Sequence, residues 1–367
     1  MQNLEELRCL AMMMVVVLHF LGKGDLLGSA GESMSLVDVA AWVPETFCIV
    51  AVNVYMLISG YFLCESSFKL SRLLTLYLQI WMYSVGVGLV AVFTGIAPAD
   101  EVNTHYFLSL LFPVSMGHYW FMTAYVFLYL LLPMVGSAVK RMSKEQLKLV
   151  LILLLGMFCL LKSILPFRLE QDVKGYDVLW YLCVFLVAAY IRKFGLGFMK
   201  NRLRCMFLYL GGCLAALAML GVMGYLYKKT GSFQLIMKNS IDYNHVLILA
   251  ASVGLFGFFL HGKGEGILGN LAGKVGPYVL GVYLLHENIG VRYGWQKWFG
   301  AVEIVTIPQL FAGIVLAVAG VFVTGVIVEW LRSKLVKGMA KVLSHLSIWR
   351  KWMEKLALAD TLFVDKK

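Results

Sequence analysis

Arg8 and His19 stand eleven residues apart in one apolar segment, Leu7-Arg8-Cys9-Leu10-Ala11-Met12-Met13-Met14-Val15-Val16-Val17-Leu18-His19. At ~3.6 residues per turn and ~1.5 Å rise this interval is about three turns, so both side chains fall on one helix face roughly 16 Å apart. In a bilayer-crossing helix one cation would then lie toward each end. Ionisable groups at such depth are costly and rare, and by default they mark function. A guanidinium suits phosphate, and an imidazole suits proton transfer. The competing reading places Arg8 at the head-group interface and makes His19 a helix-packing residue.

Lys69 and Arg72 lie three residues apart just before another apolar segment, at a depth comparable to that of Arg8. Three cations on two helices could hold a phosphorylated donor, whereas Lys69 and Arg72 alone would merely set orientation. Five of the seven histidines, His19, His105, His118, His245 and His286, fall on the opposite side of the membrane in the topology derived below. A shared outer-facing polar cavity is the corresponding expectation. No CxxC pair and no Cys/His cluster at metal-ligand spacing occurs, so no metal is expected, and the seven cysteines read as packing residues.

These residues need helices to position them, and composition supplies them. The 367-residue chain is 60% hydrophobic and only 14% charged, against roughly 45–50% and 25% in soluble domains. Apolar runs at 4–22, 46–64, 72–95, 118–136, 147–165, 176–192, 205–227, 243–261, 275–291 and 307–331 each approach the ~20 residues that cross a bilayer. The expected fold is all-α, a polytopic membrane protein with about ten transmembrane helices and both termini cytoplasmic. In that topology 23 of the 32 Lys and Arg residues are cytoplasmic and 9 are outside, the asymmetry that sets orientation. The first outer loop carries Asp25, Glu32, Asp38 and Glu45 against Lys23, while 192–204 carries Arg192, Lys193, Lys200, Arg202 and Arg204. Topology thus accounts for the net charge of +11 without a nucleic-acid partner.

Gly28-Ser29-Ala30 invites comparison with a signal-peptide cleavage site, but Glu5, Glu6 and His19 break the required pattern, and the first segment is kept as a helix. Residues 1–331 form one expected membrane domain. In 332–367, Leu335, Met339, Val342, Leu346, Trp349, Met353 and Leu356 recur at helical spacing among lysines. That basic cytoplasmic tail reads as a helix on the membrane surface or against a partner helix.

Four motifs in order resemble acyltransferase family 3, integral-membrane enzymes that O-acylate bacterial surface and secreted glycans. Arg8 and His19 resemble its arginine, ten residues, histidine signature, and Leu57-Ile58-Ser59-Gly60-Tyr61-Phe62-Leu63 its Ile-Ser-Gly-Phe element. His118-Tyr119-Trp120-Phe121 through Tyr129-Leu130-Leu131-Leu132-Pro133 resembles its His-x-Trp-Phe…Tyr-Leu-Leu-Leu-Pro element, and Tyr283-Leu284-Leu285-His286 its closing Tyr-Leu-x-His. Lys69 departs from the family's arginine, two residues, arginine motif, keeping the charge and losing the bidentate fork. Ser59 and Gly60 read as close-packing residues, since Ile-Ser-Gly is not a hydrolase nucleophile elbow.

The resemblance implies a stand-alone membrane acyltransferase in a bacterial cytoplasmic membrane. Its donor would be acyl-CoA, most simply acetyl-CoA as co-substrate, and its acceptor a hydroxyl of a surface or exported polysaccharide. Arg8, Lys69 and Arg72 would bind the donor, His19 and His118 would be catalytic, and His286 and Trp120 would face the acceptor. His19 would act as general base or would carry the acyl group itself, and both routes need neutral imidazole. The rival class is a transporter or flippase of lipid-linked glycan. The sequence shows no inverted repeat of the transporter kind and says nothing about oligomeric state.

Overall fold

The computed structural model describes residues 2–28, 34–165, 167, 170 and 172–363. Ser29, Ala30, Glu32 and the last four residues of the basic tail lie outside them. The chain is 77% helical, with no strand among the described residues. In chain order the helices begin with α1 (Gln2–Lys23), α2 (Leu36–Cys48), α3 (Ala51–Leu63), α4 (Leu70–Phe93), α5 (Thr104–Leu111) and α6 (Trp120–Arg141). They continue with α7 (Lys144–Leu155), α8 (Lys162–Ile164), α9 (Val178–Phe194), α10 (Arg202–Thr230), α11 (Gln234–Asn239) and α12 (Val246–Leu260). The last are α13 (Ile267–Val275), α14 (Val279–His286), α15 (Trp295–Trp298), α16 (Ile307–Leu343) and α17 (Ser347–Thr361).

Local sequence sets many of these boundaries. Ser35 with Asp38, and Ser143 with Gln146, form reciprocal capping boxes at the starts of α2 and α7. Asp177 and Asn201 cap α9 and α10 with their side chains. Between α7 and α8 the backbone widens into a π-helical turn, Gly156–Leu161.

Among the described residues six helices are long and apolar enough to cross a membrane: Leu36–Leu63, Leu70–Phe93, Trp120–Arg141, Lys144–Ile164, Arg202–Thr230 and Ile307–Leu343. The other four expected spans take different forms. α1 is 22 residues long but carries Glu5, Glu6, Arg8 and Lys23. α9 and α12 have only 17 and 15 residues. The segment expected at 275–291 is divided, with α13 ending at Val275, a 3-10 turn over Gly276–Tyr278, and α14 stopping at His286. The basic tail is α17 preceded by the continuous α16, which runs through position 332 unbroken.

The chain forms two compact units, one of Met1–Cys64, Met142–Gly276 and Gln296–Gly320, the other of Glu65–Arg141, Pro277–Trp295 and Val321–Lys367. In the first unit α10 packs along α12, α3 along α9, and α1 against α2, α3, α12 and α13. Gly60 makes the α3–α9 approach possible: a Cβ there would stand 2.9 Å from Ala188 Cβ and 3.0 Å from Phe185 Cα. The packing role read for the Ile-Ser-Gly motif is thus the one the backbone uses at Gly60. Fully buried Asn53 adds a polar tie, donating to Tyr243 O at 2.7 Å and accepting from Trp180 Nε1 at 2.9 Å. In the second unit α4 packs on α5, α6, α14 and α17.

Candidate functional site

Arg8 and His19 both lie on α1, which runs between them without a break. Arg8 Nη1 donates to Glu5 Oε1 and Oε2 at 2.6 and 2.7 Å, with both side chains about a quarter exposed. The Arg8 carbonyl accepts from Tyr55 Oη at 2.6 Å, fixing this turn of α1 to α3. Both guanidinium bonds use Nη1, so Nε and Nη2 have no partner among the described residues. Beside Glu5 opens a cavity of about 490 Å³ lined by Gln2, Glu5, Asn270, Gly273 and Lys274. The backbone also approaches Glu5 closely, since a Cβ on Gly276 would stand 2.1 Å from Glu5 Oε2. Toward the other end of α1, half-buried His19 has its carbonyl held by Gln296 Nε2 at 3.2 Å.

The remaining expected site residues belong to the second unit. Lys69 is the extended residue that opens α4, and Arg72 lies in its first turn, both exposed. Tyr129 of α6 pins this start: its hydroxyl accepts from Lys69 N–H at 3.1 Å and donates to Lys69 O at 3.2 Å. The Tyr of the Tyr-Leu-Leu-Leu-Pro element therefore positions the cationic pair. Trp120 is the first residue of α6 and packs edge-on against Phe121.

His118 is buried and bound at both ring nitrogens. Nε2 accepts the Ile289 N–H at 3.0 Å, which leaves the proton of a neutral ring on Nδ1, 2.9 Å from Ser84 Oγ and 3.3 Å from Ser109 O. The ring stacks on Tyr119 at 4.0 Å. Asn288, fully buried, completes this polar knot. Its Nδ2 donates to Tyr83 O, Ser84 O and Tyr119 Oη, each at 3.1 Å, and its Oδ1 accepts from Gly290 N–H at 3.0 Å. Tyr119 Oη in turn donates to Leu284 O. These bonds join α4, the start of α6 and the end of α14, and they fix the place of His286. His286 Nδ1 donates to Val282 O at 2.6 Å, and its ring stands edge-on to Tyr283 and Trp295. The structure thus brings His118, Tyr119 and the segment after His286 together in one unit, and Arg8 and His19 onto one helix in the other.

Sequence reasoning missed a buried charge cluster in the first unit. Lys162 Nζ, 2% exposed, donates to Asp172 Oδ1 at 3.1 Å, Asp242 Oδ2 at 2.7 Å and Asn244 Oδ1 at 2.6 Å. Burial opposes ionisation of Asp172, but hydrogen bonds from Asn244, Lys162 and the Lys174 N–H outweigh it and hold the carboxyl below its usual range. Asp242 is displaced the other way, because burial outweighs the pull of Lys162. Two carboxylates around one ammonium thus differ in where their protons sit. The only sequence signal was a lysine near the end of an apolar run; its partners lie 10 to 82 residues away.

A family model described as an acyltransferase domain matches residues 1–326. No curated protein and no solved structure matches the chain. With the match running from the first residue nearly to the end of the membrane helices, the chain belongs to acyltransferase family 3.

Proposed function

We propose that this membrane acyltransferase moves an acyl group, most simply acetyl, from cytoplasmic acyl-CoA to a hydroxyl of a surface or exported polysaccharide. The observation that carries the reading is α1 itself: one unbroken helix bearing a guanidinium with donors to spare and, three turns on, an imidazole. Arg8, Lys69 and Arg72 bind the phosphates of the donor, as charge-assisted hydrogen bonds to phosphate require. The thioester arm extends along α1 toward His19. There the imidazole takes the proton of the acceptor hydroxyl, its oxygen attacks the thioester carbonyl, and the C–S bond breaks. The departing thiolate leaves as coenzyme A thiol when it takes that proton. In the two-step variant the imidazole of His19 attacks the thioester carbonyl, the C–S bond breaks and coenzyme A leaves as the thiol with the ring proton; the acyl-imidazole then passes the acyl group to the hydroxyl, whose proton returns to the ring, and both routes need His19 neutral.

His118 supports this chemistry by position, since both its nitrogens are engaged in holding the segment that follows His286. His286 and Trp120 are assigned to the acceptor side. On this reading the multi-pass enzyme works in a bacterial cytoplasmic membrane.

The test is alkali-releasable acyl on surface glycans from cells with the native protein, with none, and with His19→Ala at matched membrane level. Loss of ester with both the deletion and His19→Ala, at unchanged glycan yield, supports the proposal. Loss of surface glycan instead would assign the protein to export, and normal ester with folded His19→Ala would remove His19 from the chemistry.

A further inference from the structure

The start of α4 is already covered by an anion, and that anion belongs to the chain. Asp360, on the last turn of α17 and 289 residues from its partner, accepts the Ser71 N–H on Oδ1 at 3.0 Å and the Ser71 hydroxyl on Oδ2. Lys69 has no side chain capping α4, so the distant carboxylate does the work of a cap. Weak burial opposes its ionisation, but the Ser71 hydroxyl, the N–H groups of Ser71 and Leu70, and the Lys69 charge together hold Asp360 below the usual carboxylate range. It is therefore an anion at neutral pH.

Beside this contact lies a cavity of about 300 Å³ whose polar lining is Ser66, Ser67, Ser137 and Lys140. Phe363 forms part of its wall and meets Phe68 edge-on, with ring centroids 5.0 Å apart. The tail is held lightly, since α17 contributes no buried residue. Among the described residues this exposed helix is seated by the Asp360 carboxylate and the Phe363 ring, and its departure uncovers Phe68.

Resting on the reading of Lys69 and Arg72 as phosphate ligands, we propose that Ser71 is a further ligand for the donor's phosphate, and that Asp360 is its built-in competitor, so that α17 must unseat before the donor docks. The arrangement puts a carboxylate on the Ser71 N–H and hydroxyl, within the field of the Lys69 charge, the kind of groups at a helix start that a phosphate would use. Two anions cannot share them. The tail thereby lowers donor affinity by the fraction of molecules in which it is seated, and anything that draws its basic, amphipathic surface elsewhere raises it.

The experiment measures binding of adenosine 3',5'-bisphosphate, a probe carrying the phosphates without the acyl arm, to the purified full chain in detergent. If the tail is seated in roughly nine molecules of ten, Asp360→Asn binds the probe about tenfold more tightly. Arg72→Ala and Ser71→Ala bind it more weakly. Hydrogen exchange over 347–363 in the native chain accelerates when the probe saturates. Unchanged affinity in Asp360→Asn, with weaker binding in Arg72→Ala, overturns the competition while the donor reading stands. Weaker binding in Asp360→Asn overturns it too, by making the tail a wall of the site. Indifference to Lys69→Ala and Arg72→Ala alike removes the phosphate reading and the competition with it.

Discussion

At the scale of single residues, the chemistry assigned to α1 separates two effects that a kinetic comparison resolves. His19→Ala removes the proton acceptor and is expected to lower kcat by ~10²–10⁴-fold, the usual worth of general acid–base assistance. Arg8→Ala leaves the imidazole in place and is expected to raise the apparent KM for acyl-CoA, with a smaller change in kcat. Equal kcat losses in both variants would argue against this division. The Glu5–Arg8 pair is partly exposed, so its loss costs the fold only ~0–1 kcal/mol, and any large effect of Glu5→Gln is then a binding effect. The Lys162 cluster makes a stability prediction of a different kind. Lys162→Met leaves buried carboxylates without their cation and is expected to cost about 3–5 kcal/mol, read as a lowered unfolding temperature in detergent.

The two carboxylates also set opposite pH dependences. Asp172 has its folded pKa depressed, so its contribution is present above the unfolded value and is lost as pH falls through the folded one. Asp242 has its folded pKa raised, so its contribution is full below the unfolded value and declines as pH rises toward the folded one. Asp172→Asn should therefore flatten the acid limb of the stability profile, and Asp242→Asn should be tolerated better while flattening the decline above it. The reverse pattern would mean that the proton sits on the other carboxylate. Arg8 and His19 stand out in the sequence by their spacing on one apolar segment, and the packing of Gly60 was legible there because it falls in a short contiguous motif. Lys162 with Asp172 and Asp242 was not, because ionic partners brought together over tens of residues leave no local pattern.

Among the elements, the decisive fact is how closely α3 and α9 approach. A Cβ at Gly60 would enter the contact radii of Ala188 and of the Phe185 backbone, which a flexible side chain cannot relieve. Gly60→Ala is expected to destabilise by about 1–3 kcal/mol, the usual cost of overpacking, with Gly60→Leu failing to accumulate in membranes. An unaffected unfolding temperature in Gly60→Ala would contradict that packing. Long apolar helices were readable because about 20 apolar residues suffice to identify each. The break of the expected 275–291 span was not. Asn288 ends it, by drawing the chain after His286 onto the Tyr83 and Ser84 carbonyls of α4, and a lone Asn beyond an apolar run carries no hint of those acceptors. The resemblance implies a catalytic His118, and its ring nitrogens meet Ser84 Oγ and the Ile289 N–H.

For the whole molecule, the distribution of Lys and Arg predicts an orientation with both termini cytoplasmic. All seven native cysteines are buried or half-buried, so introduced thiols have a quiet background. Asp100→Cys is expected to react with a membrane-impermeant maleimide on intact cells, and Lys200→Cys only after permeabilisation; the opposite result would invert the topology. The family match over residues 1–326 draws on segments of both compact units.

The central claim, acyl transfer through His19, is tested most directly by transfer of radiolabelled acetyl from acetyl-CoA into base-labile envelope material. The preparation is inverted membrane vesicles bearing equal amounts of native, Arg8→Ala or His19→Ala protein. The account predicts robust labelling with the native chain, labelling by Arg8→Ala that recovers at raised acetyl-CoA, and background labelling by His19→Ala at every donor concentration. Native-level labelling by His19→Ala would contradict it.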